Sequence, residues 1–112
     1  MRRGTRHHYE KYKEAASAHV HARLAHFNQF YGLSYRRVFI KNLRSRWGSC
    51  SEHANLNFNY KIIFLPPEVA DYVILHELCH LAEFNHGPKF WALVEQGMPD
   101  YRRHRAALNR IR

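Results

Sequence analysis

Only two cysteines occur in the 112 residues, Cys50 and Cys79, too few for a disulfide framework. Both are expected as reduced thiols, Cys79 as a small side chain packed behind whatever its helix presents. No apolar run approaches the roughly 20 residues needed to cross a bilayer, and the basic stretch Met1 to His8 has no apolar segment after it. A soluble, cytoplasmic protein with no membrane partner is therefore expected. Acidic side chains are scarce as well, nine against eighteen Lys and Arg, for a net charge of +9 with neutral histidines. That balance draws a chain toward polyanions and phosphate-bearing partners without naming one. Much of the excess falls at the ends, in Arg2, Arg3, Arg6, Lys11 and Lys13 and in Arg102, Arg103, Arg105, Arg110 and Arg112. Solvated helix faces are the plain explanation, and weak nucleic-acid association through the basic termini is the alternative. Repeats, low-complexity runs and linkers are absent, so residues 1–112 are expected to form one domain.

Periodicity gives the order of elements. Tyr9 to Tyr31 carries Ala15, Ala16, Val20, Leu24, Phe27 and Phe30 or Tyr31 at helical spacing, and Gly32 is a natural stop. His19, His21 and His26 lie in that helix without a partner four residues away, which argues against their being ligands. The period then changes to two. Val38 and Ile40 predict one strand, Arg46 to Ser51 a second, and Leu56 and Phe58, alternating with Asn55, Asn57 and Asn59, a third with its polar side toward solvent or a cleft. Trp47 reads as a core anchor and Gly48 as a bulge or a place of close packing. Tyr60 to Leu65 is ambiguous between helix and strand. Pro66, Pro67 and Glu68 suit the first turn of a helix over Asp71 to Leu81, and two shorter helices follow over Pro88 to Gln96 and Asp100 to Ile111. Phe90 and Trp91 read as core.

The chemistry concentrates in His76-Glu77-Leu78-Cys79-His80, followed by His86. Residues four apart on a helix sit about 40° apart around the axis and about 6 Å along it, so the imidazoles of His76 and His80 can reach one ion. Glu77 can then place its carboxylate beside a water on that ion, the general-base position of the H-E-x-x-H metalloproteases. In a chain with ten histidines the motif alone could arise by chance, but here it falls on a helix with Val73, Ile74, Leu75, Leu78 and Leu81. His86 would lie about 15 Å along a continuous helix, so the helix must end first. Asn85 and Gly87 tolerate left-handed angles, and a stop near Glu83 to Asn85 would swing His86 back. The spacing from His80 to His86 equals that of the metzincin motif. Glu83 stands where that motif has its turning glycine, so the third ligand is His86, which is preferred, or Glu83 with His86 behind it.

The joint pattern is more specific. Arg44-Ser45-Arg46-Trp47-Gly48-Ser49-Cys50-Ser51, Asn57 and Asn59, Pro66-Pro67-Glu68-Val69 with Asp71-Tyr72-Val73, His76 to Leu81, Asn85-His86, Phe90-Trp91 and Pro99-Asp100-Tyr101 resemble the YgjP-like metallopeptidase family, a relative of the SprT-like zincins. The resemblance covers Tyr31 to Leu108. It implies an α+β, zincin-like minimal metallopeptidase core, with an N-terminal helix, a small three-stranded sheet, the H-E-x-x-H active-site helix and C-terminal helices. It also implies one Zn2+ per chain on His76, His80 and His86, with Glu77 catalytic. Family members carry a β-rich segment before the first helix, whereas this chain begins almost at that helix, as a minimal core or a shortened version would.

Three ligands leave a fourth position open for water, whose pKa falls toward about 7. The expected substrate is a peptide or protein. Arg44, Arg46, Ser49 and Ser51 suit oxyanions, and a strand at the cleft could instead pair with an extended peptide. Arg44, Arg46, Ser49 and Asn59 are the substrate-binding candidates, and Arg46, Tyr72, Asn59 and Lys89 the candidate donors to the transition state. Two other functions compete. A metal-dependent nucleotide phosphohydrolase would act on a phosphate-bearing small molecule, and a nucleic-acid-associated module with structural zinc would need a fourth ligand from Glu83 or Cys79.

Overall fold

The computed structural model describes residues 1–111. Arg112, counted above in the C-terminal basic cluster, lies outside the described residues. Helix α1 spans Arg6–Tyr31. It starts a turn earlier than the apolar stripe predicts, because the Thr5 hydroxyl accepts the backbone N–H of His8 at 3.1 Å and caps three polar residues that carry no apolar signal. Its buried face is Ala16, Val20, Leu24 and Phe27; Ala15, expected in that stripe, is exposed, and of Phe30 and Tyr31 it is Tyr31 that packs against the core. Gly32 ends it in the left-handed region, φ 62°, where a Cβ would be strained.

Strands β1 (Arg37–Lys41), β2 (Gly48–Cys50) and β3 (Asn55–Asn59) form one sheet in the order β1-β3-β2. β1 runs parallel to β3, and β2 antiparallel to it, with Ser49 opposite Asn57. β2 is thus an edge strand, shorter than the predicted Arg46 to Ser51. Leu56 and Phe58 are buried, as the alternation requires, but Asn59 is buried too. The polar face of β3 is therefore not simply solvated. The ambiguous Tyr60–Phe64 segment is a 3₁₀ turn, short enough to defeat any periodicity argument.

Helix α2 (Pro67–Cys79) follows Pro66 with Pro67 at its first position, where the missing N–H costs nothing. It is buried almost all round, by Val69, Tyr72, Val73, Ile74, Leu75 and Leu78 among others, and packs on α1, on β2 and on α3 (Pro88–Gly97) and α4 (Tyr101–Ile111). Arg23 of α1 grips Asp71 of α2 through two hydrogen bonds of 2.9 and 3.0 Å, a fork that holds the helices in register. Trp47 joins the core that surrounds α2. No helix is long and apolar enough to cross a membrane among the described residues. Several terminal cations lie in local ion pairs on helix faces, Lys13 with Glu10, Arg102 with Glu95 and Arg103 with Asp100.

Candidate metal centre

α2 delivers His76 and Glu77 in its last turn and His80 as its cap, and the manner of ending supplies the rest. The helix stops at Cys79, with His80 as its cap. This is earlier than the expected stop near Glu83 to Asn85. The N–H groups of Ala82 and Glu83 both bond the Cys79 carbonyl, at 3.1 and 3.0 Å, curling the chain tightly at once. No residue from 80 to 87 takes a positive φ, so the left-handed turn expected at Asn85 or Gly87 is not used. Turns built on right-handed angles suffice because the reversal is spread over several residues.

The turn brings His86 to the other two histidines. The three Nε2 atoms form a triangle with sides of 3.2 Å (His80 to His76), 2.9 Å (His80 to His86) and 3.1 Å (His86 to His76). Nitrogens about 2.0–2.1 Å from a tetrahedral zinc ion stand about 3.3–3.4 Å apart. The triangle matches that face to within a few tenths of an ångström, so the donor set fits a metal. His76, His80 and His86 form a potential metal-holding group; neither the Glu83 carboxylate nor the Cys79 thiol belongs to it among the described residues. Glu83 contributes its backbone instead. Its carbonyl lies 3.1 Å from His80 Nδ1, and since a carbonyl only accepts, Nδ1 carries the proton and Nε2 presents its lone pair to the centre. The Tyr72 hydroxyl lies 3.2 Å from His76 Nδ1 and orients that ring. Burial holds His80 below the usual histidine range, which favours the neutral, ligating form.

Aromatic rings wall the triangle. Phe90 stacks on His80 at 4.4 Å, and Trp91 lies parallel to His86 at 5.8 Å and to Tyr101 at 5.3 Å. Phe90 is buried as expected, whereas Trp91 is half-buried and braces a site residue. Removing the Tyr72 hydroxyl, Tyr72→Phe, is expected to weaken metal binding about 10- to 100-fold, as loss of such an orienting bond commonly does. Competition titration with a chromophoric chelator measures it, and an unchanged affinity would show that the hydroxyl orients nothing.

Glu77 is 7% exposed. Burial pushes its carboxyl up to about 8, against the opposing pull of the Arg46 guanidinium. A cation on the histidines would add positive charge beside it and favour the carboxylate. Gly48 explains how the side chain fits: a Cβ there would stand 3.0 Å from Glu77 Cγ and 3.1 Å from the Asn57 carbonyl oxygen. The close packing expected at Gly48 is therefore against Glu77 itself, which lets β2 lie directly over the α2 carboxylate.

Two cavities flank this centre, and His76, Glu77 and His86 line both together with Arg46 and Gly48. The first, about 270 Å³, reaches Tyr72, Val73, Arg105 and Leu108. The second, about 350 Å³, extends past Ser49, Cys50 and Phe84. Of the substrate-binding candidates, Arg46 and Ser49 line these cavities, while Arg44 and Asn59 line neither. The Asn59 amide is committed to structure, donating to the carbonyls of Leu43 and Arg46 at 3.2 and 3.0 Å and accepting the Lys61 N–H at 3.1 Å. It shapes the loop that carries Arg46. Lys89, a candidate donor, lines neither cavity. Burial pushes the Cys79 thiol up to about 12, and Cys50, also raised by nearby Glu77, to about 11. Neither thiol belongs to the histidine group among the described residues.

A small mixed sheet over a central helix, three convergent imidazoles and a buried glutamate between two cavities fit a metal-dependent hydrolase. The chain belongs to the YgjP-like family: the family's metallopeptidase domain matches residues 2–111. Among solved structures it is similar to the metallopeptidase zymogen abylysin of Pyrococcus abyssi, at 25% identity over 82% of this chain and 90% of that one, with a TM-score of 0.69. It shares its fold with the metallopeptidase zymogen jannalysin of Methanocaldococcus jannaschii, at 20% identity over 82% and 93% of the two chains and a TM-score of 0.65. No curated protein matches it.

Proposed function

We propose that residues 1–112 act as one catalytic domain that hydrolyses peptide bonds with a single zinc ion on His76, His80 and His86 and with Glu77 as general base. The observation that carries this reading is the triangle of Nε2 atoms with Glu77 on the same cavity wall. Bound zinc supplies an acidified water and polarises a carbonyl. Glu77 takes one proton from the attacking water at a carboxylate oxygen and delivers it to the amide nitrogen as the C–N bond breaks. The buried carboxyl lines both cavities beside His76 and His86, within reach of a water held there. Ser49 and Cys50 of β2 face the second cavity, and the strand pairs with β3 alone in its sheet, so an extended substrate can add to its free edge. The structural-zinc alternative has no fourth ligand among the described residues. Two free thiols suit a reducing compartment such as the cytoplasm.

Chelation provides the test. Treatment with 1,10-phenanthroline is expected to reduce cleavage of an unfolded protein such as reduced casein to background, and one equivalent of zinc to restore it. Cleavage that survives complete removal of metal, or hydrolysis of nucleoside triphosphates in place of peptides, would contradict the proposal.

A further inference from the structure

Arg46 and Arg105 approach the first cavity from different elements, Arg46 from the loop before β2 and Arg105 from α4. Both line the cavity that also holds His76 and Glu77, and Glu77 is the only acidic side chain on its wall. Arg105 forms no ion pair among the described residues, although Arg23, Arg102 and Arg103 all do, and Arg46 acts on the Glu77 carboxyl without closing to an ion pair. Arg105 is held at the wall by the Trp91 ring, 4.4 Å from its guanidinium carbon, and that ring is itself stacked on Tyr101. A guanidinium perched on an aromatic face loses less freedom when it meets a carboxylate. Buried Val73, Leu108 and Trp47 line the same cavity, an apolar surface suited to a methylene stem.

Resting on the peptidase reading, we propose that this cavity is a subsite for a substrate carboxylate next to the scissile bond, with Arg105 determining the preference and Arg46 supporting it. An aliphatic stem ending in a carboxylate, as in glutamate, suits both the apolar lining and the two arginines on the wall. The carboxylate is that of an acidic side chain or that of the substrate's own C-terminus. The chain's positive net charge further concentrates such substrates near the cleft.

The test uses the zinc-loaded full chain and a set of fluorogenic peptides with Glu, Gln or Lys at successive positions, each as free acid and as C-terminal amide. Cleavage sites are mapped by mass spectrometry. We expect kcat/KM for peptides with Glu beside the cut to exceed that for Lys by at least about tenfold, a ratio equivalent to 1.4 kcal/mol. Arg105→Gln should abolish the preference and Arg105→Glu reverse it, both with the wild-type zinc content. A preference that persists in the amides assigns the side-chain carboxylate, and one that disappears on amidation, with cuts near the terminus, assigns the terminal one. Equal rates for Glu, Gln and Lys in both peptide forms, or a preference unchanged in both Arg105 variants, would overturn the subsite while leaving the peptidase intact. Failure of the zinc-loaded wild type to cut any peptide would overturn both.

Discussion

Glu77→Gln is expected to lower kcat by about 10²- to 10⁴-fold, the range general acid–base groups contribute, with zinc content unchanged. The substitution keeps the shape that packs against Gly48, where even a Cβ would stand only 3.0 Å from Glu77 Cγ, and removes the oxygen that takes the proton. Glu77 belongs to neither the histidine triangle nor any ion pair among the described residues, so neither metal affinity nor a salt link should suffer. The stability of the metal-free protein should not fall either. Burial opposes the charged form of this carboxyl and pushes it up to about 8, and a neutral amide avoids that opposition. Steady-state kinetics beside elemental analysis and a thermal melt check all three parts. Full activity in a zinc-loaded Glu77→Gln variant would remove Glu77 from the mechanism.

His86→Ala is expected to weaken zinc binding by more than the roughly 100-fold typical of losing a supporting hydrogen bond, because it removes one of only three nitrogen donors. His86 is exposed while His80 is buried. Truncating it should therefore leave the metal-free fold intact and act almost wholly on the ion. Zinc stabilises the folded protein in proportion to ln(1 + c/Kd), c being the free zinc concentration, so at a zinc concentration below the weakened Kd the zinc-induced rise in Tm should disappear in His86→Ala and persist in Glu83→Ala. The opposite pattern would transfer the third ligand to Glu83, whose observed contact with a site histidine is its backbone carbonyl on His80.

The contrast between these residues shows which parts of the site are readable from sequence. His76, Glu77 and His80 were legible because four-residue helical spacing is local geometry and needs no tertiary information. His86 was only half legible: spacing required a turn, yet the turn arises from double acceptance at the Cys79 carbonyl, a backbone event that no side chain announces. The three strands followed from period-two alternation, but the same alternation placed Asn59 toward solvent or a cleft. Its amide is in fact consumed by Leu43 and Arg46 of the loop before β2 and by the N–H of Lys61 in the turn that follows. Arg105 had no signal apart from charge at a basic terminus. Only the packing of α4 on α2 brings it to the cavity beside Glu77. Residues named by a motif could thus be read, and those recruited by tertiary packing could not.

The most direct measurement of the central claim is zinc K-edge X-ray absorption on the purified, zinc-loaded protein, with stoichiometry fixed by elemental analysis. One zinc per chain with three nitrogen donors at about 2.0–2.1 Å and one light oxygen is the predicted result, the signature of an open catalytic site. A sulfur donor, or a shell filled by four protein ligands, would contradict it and make the metal structural.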